Sequence, residues 1–361
     1  MNEEKIIEVI ARFRDPVLKK DFASLRFIKG ISLKGNSLSV ILGTSDLTDS
    51  SIDKLRNEIS EMLKIEFPNL EEVNIDFEPA VLEHKNPKKS SIIPKVKNTI
   101  AVASGKGGVG KSTVTVNLAC ALRSLGFKVG IIDADIYGPS IPLMMNLKGK
   151  PSVTKVDGKN KLVPMEQYGV EVMSIGFLME EGTAVVWRGP MASSALKQFM
   201  SDVVWGDLDF ILFDMPPGTG DIQLTLSQTL PLTGAVIVTT PQEISLADAR
   251  KGYIMFSKVN VPTLGIIENM SYYQKENGDK DYIFGQGGGE KMSSEYNVDL
   301  LGEIPINTNI REYGDSGKPM VISDPDSKEA RIFIDIARKL VKEVNIKNNI
   351  SEKVPSLEIE I

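Results

Sequence analysis

The 361-residue chain predicts an α/β fold, a mostly parallel sheet flanked by helices and preceded by a small α+β domain. Three observations predict it. From Thr99 onward short apolar runs recur (TIAVAS, KVGIIDAD, DFILFD, GAVIVTT, TLGIIEN), with helical stretches between them. Strands apolar on both faces and spaced by helices belong to parallel sheets covered on both sides. Ahead of them, residues 83–98 (EHKNPKKSSIIPKVKN) are basic, polar and twice broken by proline, which is linker composition. Finally, a glycine-rich turn at 104–113 lies between the first apolar run and a helical one.

The elements follow in order. A helix is expected over 3–14, stopped by Asp15-Pro16 because proline disfavours helix in the residue before it. Residues 37–42 put Leu38, Val40 and Leu42 on one face of a strand. Ser50 or Ser51 can then cap a helix carrying Ile52, Leu55, Ile59, Met62 and Leu63 along one side. Val73, Ile75 and Phe77 alternate as another strand. The boundaries expected are a domain over 1–82, a linker over 83–98, a second domain over 99–346 and a loose tail over 347–361. A last helix is expected over about 327–342, its stripe of Ile332, Phe333, Ile336, Ala337, Leu340 and Val341 packed on the sheet. Glu329 and Asp335 on its polar face count against a membrane-surface helix.

Composition excludes several classes of function. With 42% hydrophobic and 25% charged residues the chain can bury cores, so wholesale disorder is not expected. No apolar run approaches the ~20 residues that span a bilayer, and the N-terminus lacks a signal-peptide core, so the expected compartment is the cytoplasm. A formal net charge of −6 argues against nucleic acid as a partner. One cysteine, Cys120, rules out an intrachain disulfide and any zinc or iron–sulfur site built from several cysteines of one chain. The single histidine, His84, lies in a polar stretch and reads as solvated, so Ser-His-Asp or Cys-His catalysis has almost no material.

Residues 104–113 read SGKGGVGKST and contain G-x-x-x-x-G-K-[ST] as Gly105, Gly110, Lys111 and Ser112. Glycines give the turn φ values that let successive backbone N–H groups point at phosphate oxygens. The segment Gly105, Lys106, Gly107, Gly108, Val109, Gly110, Lys111, Ser112 and Thr113 is thus a candidate ATP site. Lys111 would place a positive charge at the β- and γ-phosphates, and the Ser112 hydroxyl can ligate Mg²⁺. The helix opening near Lys111 adds its positive dipole end. The strand before the loop and the helix after it are the context that makes this a P-loop. Asp133 and Asp135 end the next strand, and Asp214 ends a later one as a Walker B acid does. Parallel strands bring their C-terminal ends to one edge, so these acids can converge on Mg²⁺ and the attacking water.

Lys106, early in the loop, resembles the signature lysine of the deviant Walker A group, which includes ParA- and MinD-type ATPases and the nitrogenase iron protein. Within that group DADIYGPS (133–140), WRGPM (187–191), WGDLDFILFDMPPGTGD (205–221), ENMSYY (268–273) and LLGEIPI (300–306) resemble the Mrp/ApbC-type iron–sulfur cluster carriers. The resemblance spans 99–342, and more weakly the N-terminal domain. It implies a homodimeric, Mg-dependent ATPase that binds iron–sulfur clusters and passes them to apoproteins. It also implies roles: Lys106 reaching the partner's ATP, Asp135 positioning the hydrolytic water, and Asp133 and Asp214 orienting Mg²⁺ through its water shell. The DMPPGTGD segment would sense the γ-phosphate, and Asn269 would hydrogen-bond the adenine edge.

The chain departs from this family at one place. Carriers of this type hold C-x-x-C just after N-M-S-Y, and two subunits share a [4Fe–4S] cluster. Here that stretch reads SYYQKENGDKDYIFG (271–285), and the cysteine positions fall on Lys275 and Gly278. Cys120, on the helix after the P-loop, reads as a small core residue. Three alternatives stand: a cysteine-bearing partner, a cluster held by other ligands, or no cluster chemistry at all. A positioning ATPase on membrane or DNA is the alternative function, and a reductase like the nitrogenase iron protein is a third.

Overall fold

The computed structural model describes residues 2–86, 92–136, 138–178 and 189–351. Two compact units divide the chain: residues 2–83 with 341–351 among those described, and residues 84–340.

The first unit opens with helix α1 (Glu3–Ile10), capped by Asn2 and burying Ile6, Val9 and Ile10. It stops short of the expected residue 14, because Arg14 bridges to Asp21 and the buried Asp15 carboxylate accepts the backbone N–H groups of Val17, Leu18 and Ser45. Strands β1 (Ile28–Lys34) and β2 (Ser37–Thr44) pair antiparallel around the left-handed Gly35. Helix α2 (Asp49–Glu66) then returns the chain to β3 (Glu72–Pro79), parallel to β2, in the order β1-β2-β3. Leu38, Val40 and Leu42 alternate inward against Leu55, Ile59 and Leu63, as their periods require. Each such side chain, fully buried, contributes about 1.5–3 kcal/mol.

The second unit is built on an eight-stranded sheet. In chain order its elements are β4 (Val96–Ala103), α3 (Lys111–Ser124), β5 (Val129–Asp133), α4 (Ile141–Met144), β6 (Val153–Val156), β7 (Lys159–Leu162), β8 (Met165–Gln167) and β9 (Val170–Ser174). There follow α5 (Gly189–Ser201), β10 (Leu208–Asp214), α6 (Asp221–Thr229), β11 (Gly234–Thr239), α7 (Glu243–Lys258) and β12 (Thr263–Glu268). The chain continues through β13 (Tyr273–Gln274), β14 (Lys280–Asp281), α8 (Gly288–Tyr296), β15 (Leu300–Glu303), α9 (Thr308–Asp315), α10 (Met320–Ser323) and α11 (Lys328–Ser351). The sheet order is β15-β12-β11-β4-β10-β5-β9-β8, parallel throughout except for β8, which pairs antiparallel with β9. β5 and β11 are buried at every residue, which is why they read as unbroken apolar runs rather than alternating ones.

β4 begins at Val96, within the stretch expected as linker. Its polar Asn98 is fully buried but donates to the Asp209 carbonyl, so a strand forms where hydrophobicity alone shows none. α11 runs past the expected 342 to Ser351. Its last turns belong to the first unit, where Asn345 accepts from Leu82 N–H at 2.7 Å and donates to the Ala80 carbonyl at 3.1 Å. Asn348 donates to the Leu82 carbonyl at 2.9 Å. Tyr137, Trp187 and Arg188, parts of two quoted motifs, and residues 352–361 of the tail lie outside the described residues.

The register fixes what meets at the carboxyl edge of the sheet. Asp214 pairs with Val102 on one side and with Asp133 on the other, and Asp133 pairs in turn with Ser174. Four strand ends therefore share one row beneath the loop that leaves β4.

Candidate nucleotide site

The loop between β4 and α3 takes its shape from its glycines. Gly108 (φ +82) and Gly110 (φ +79) occupy the left-handed region, which costs a side chain. A Cβ on Gly105 would lie 2.2 Å from the backbone of Asp248, so only glycine lets α7 approach this closely. A Cβ on Gly108 would meet nothing within 4 Å, so the loop is open on that side. The hydroxyl of Ser104 donates to the Lys106 carbonyl, tying the front of the loop together. Lys106 itself is half-buried.

Beneath the loop is a compact charged cluster. Lys111 is 6% exposed, and its Nζ lies 2.8 Å from Oδ1 of the fully buried Asp214 and 3.8 Å from Oδ2 of Asp135. The Ser112 hydroxyl donates to Asp214 Oδ2 at 2.6 Å and the Thr115 hydroxyl to Oδ1 at 2.8 Å. A buried ion pair survives only when its remaining lone pairs are satisfied, and here two hydroxyls of α3 satisfy them. Thr115 was not among the residues singled out from sequence. Its signal was present, since it stands four residues after Lys111 and so on the same face of α3.

Asp133 is arranged differently. Its carboxylate accepts from the Ser174 hydroxyl at 2.9 Å, from Ile141 N–H at 3.3 Å and from Asp135 N–H at 3.2 Å. Burial, and then the neighbouring charge of Asp214, push its pKa well above the usual carboxylate range, against the Ser174 bond and the Lys111 charge. The direct hydroxyl contact to the P-loop helix is therefore made by Asp214, while Asp133 is held by the β9 and α4 side. Ser174, also not anticipated, follows from the β5–β9 register.

Asn269 is 7% exposed, and its Nδ2 donates to the Val109 carbonyl at 2.9 Å. It lines a cavity of about 500 Å³ together with Gly110, Thr113, Met270, Phe284 and Ile306. The turn carrying it is set by the left-handed Met270 (φ 55) and by the Ser271 hydroxyl, which donates to buried Glu268 at 2.6 Å. A phosphate cradle, a lysine, a hydroxyl with a carboxylate and an adjoining apolar cavity fit a nucleotide with its magnesium, a hard cation that takes oxygen donors.

Lys275 and Gly278, the positions where the family resemblance leads one to expect cysteines, lie in the exposed hairpin β13–β14. Lys275 N–H donates to the Asp279 carbonyl and Gly278 N–H to the Lys275 carbonyl, with Gly278 at φ +91. Lys275 Nζ lies 3.4 Å from Asp281. Cys120 is fully buried in α3, and burial pushes its thiol up to about 12. Among the described residues no three His, Cys, Asp or Glu side chains are gathered to hold a metal ion. His84, half-buried, donates its backbone N–H to the Lys97 carbonyl at the start of the second unit.

A glycine-rich loop leaving a central parallel strand, with acids at the neighbouring strand ends, defines a P-loop NTPase. Residues 95–341 match the family model described as ParA: NUBPL iron-transfer P-loop NTPase. The chain belongs to this family, that of the Mrp/ApbC-type iron–sulfur cluster carriers related to MinD. It is 44% identical over 344 residues to the iron–sulfur cluster carrier protein of Haemophilus influenzae, covering 95% of this chain and 92% of that one. The carrier of Aquifex aeolicus is 41% identical over 368 residues, covering 97% and 100%. A nucleotide-binding protein of Archaeoglobus fulgidus, solved in complex with ADP, superposes with a TM-score of 0.58 at 38% identity, over 69% of this chain and 96% of that one. The cell division ATPase MinD of Pyrococcus furiosus does so with a TM-score of 0.50 at 25% identity, over 67% and 97%.

Proposed function

We propose that this chain binds and hydrolyses Mg-ATP, acting in the maturation of iron–sulfur proteins. The observation that carries the proposal is the convergence of Lys111, Ser112 and Thr115 on the buried Asp214 under an open glycine loop. Lys111 and the loop N–H groups hold the phosphates, and Thr115 keeps Asp214 oriented. Ser112 and the acids hold the magnesium, whose chemistry is to neutralise charge developing on the phosphates. Asp135, half-buried and 3.8 Å from Lys111, orients the attacking water in this reading, and residues 214–221 sense the γ-phosphate. Asn269 and the cavity beside it take the adenine. Lys106 completes the site of a second copy, so the active species is a homodimer. Lys111→Ala tests this reading: it should abolish nucleotide binding and turnover, and unchanged ATPase activity would refute it.

The cluster is cargo, and the usual four-thiolate ligation does not fit this chain. Two copies supply two thiols, each buried and raised far from ionisation. Of the three alternatives we infer the first, that a cysteine-bearing partner supplies the thiolates and this chain the ATP-driven step. The identities to iron–sulfur cluster carriers support this over a MinD-like positioning role. Anaerobic reconstitution with iron and sulfide should leave no stoichiometric cluster on this protein alone. A stable cluster lost in Cys120→Ala would overturn the assignment.

A further inference from the structure

Helix α6 begins directly after the loop that runs from Asp214 past the P-loop. That loop lies against the nucleotide site: Gly218 N–H donates to the Ser104 carbonyl at 3.0 Å, and a Cβ on Gly107 would meet the side chain of Pro217 at 3.9 Å. The third residue of α6, Gln223, is 2% exposed, and neither its Nε2 nor its Oε1 has a hydrogen-bond partner. On helix α5, Ser193 is 8% exposed, and its hydroxyl is likewise without a partner. α5 and α6 pack against each other. Each leads into a strand of the same parallel sheet, so both begin at the carboxyl edge, where the P-loop sits. Gln223 in the first turn of α6 and Ser193 in the second turn of α5 thus place two buried, unsatisfied polar groups near the same end.

Buried amides and hydroxyls are almost always paired, because an unmade bond forfeits the whole desolvation cost. A methionine in place of Gln223 would fill similar space at no such cost. We propose that Gln223 and Ser193 are positioning residues for the reaction, becoming hydrogen-bonded to one another when the 214–220 loop engages the γ-phosphate and draws α6 against α5. The loop has the freedom for this. Gly218 is left-handed (φ +97), and a Cβ on Gly218 or Gly220 would touch nothing within 4 Å. The proposal rests on the reading of the site as an ATPase.

The test compares Gln223→Met, Ser193→Ala and the double variant in the full-length protein. Gln223→Met should raise the melting temperature of the nucleotide-free protein by about 3 °C. It should also lower kcat about tenfold while KM for ATP stays within about twofold. Ser193→Ala should lower kcat similarly, and the double variant no further. Unchanged kcat in either single variant, losses that multiply in the double, or a melting temperature that falls together with kcat would each overturn it. The last outcome would make the pair a purely structural one. Should Gln223→Met not fold, Ser193→Ala carries the same readouts. If the wild-type protein shows no turnover, the ATPase reading fails first. The pair is then read by melting with the analogue ATPγS against ADP, where wild type must gain more from ATPγS than either variant does.

Discussion

The side-chain amide of Asn269 donates to the carbonyl of Val109 at 2.9 Å, joining the turn after β12 to the heart of the P-loop. A Cβ on the next residue, Gly110, would fall 2.3 Å from the same nitrogen, so glycine there serves the contact as well as the turn.

Replacing Asn269 with Asp sets two acceptors against each other at that point. ATP affinity should fall about tenfold, roughly 1.4 kcal/mol, as measured by titration calorimetry. Asn269→Ala should cost less, because it removes a bond without opposing an acceptor. Equal affinity for Asp and Asn at 269 would show that the contact does not shape the site.

Thr115 should matter more than its anonymity in the sequence suggests. Thr115→Val removes a hydrogen bond to a buried carboxylate, a loss of about 1.5–3 kcal/mol in stability, while Thr115→Ser retains the hydroxyl and most of the stability. Removing the carboxylate altogether, as in Asp214→Ala, strands Lys111 and should cost about 3–5 kcal/mol. Denaturant midpoints would rank the three variants, and a Val variant as stable as the Ser variant would contradict the geometry.

Asp133 gives a pH signature. Its pKa is raised in the folded protein by burial and by Asp214, so the folded state holds this proton more tightly than the unfolded chain does. Its stabilising contribution is therefore complete below about pH 3.9, the unfolded value, and is lost as pH rises through the folded value. Asp133→Asn should accordingly melt higher than wild type at neutral pH, with the difference shrinking as the pH is lowered. Melting curves recorded without magnesium test this, and a difference that grows toward acid would have the wrong sign.

Cysteines at the hairpin should supply the thiolates that the family resemblance leads one to expect there. Lys275→Cys with Gly278→Cys is expected to take up iron and sulfide where wild type takes none, read from the visible spectrum and iron content. The left-handed backbone at 278 opposes any side chain by about 1–2 kcal/mol, so occupancy should be partial. No uptake by the double variant would mean that the hairpin is not the cargo face.

The sequence made the nucleotide half of this molecule legible because phosphate binding demands glycines, a lysine and a hydroxyl at fixed spacing. Lys111, Ser112 and Asp214 meet as their positions at strand ends and helix start require. Partners that act through another side chain left fainter traces. Ser174 reaches Asp133 through a strand register that no local pattern announces, and Gln223 looks like any polar residue of a helix until its burial is known. Element limits were hidden for a related reason. Asn98 and Asn345 interrupt apolar patterns, yet both are buried and bonded to backbone groups, so β4 starts earlier and α11 ends later than hydrophobicity suggests.

The sole thiol of the chain bears on how the protein can be studied. Burial raises the pKa of Cys120 to about 12, so it stays a thiol at pH 7, and its packing in α3 keeps reagents away. Maleimide chemistry therefore meets a silent background in the native protein. A cysteine introduced at any exposed position would be the one that reacts, so spectroscopic labels can be attached for distance measurements without first deleting a native residue.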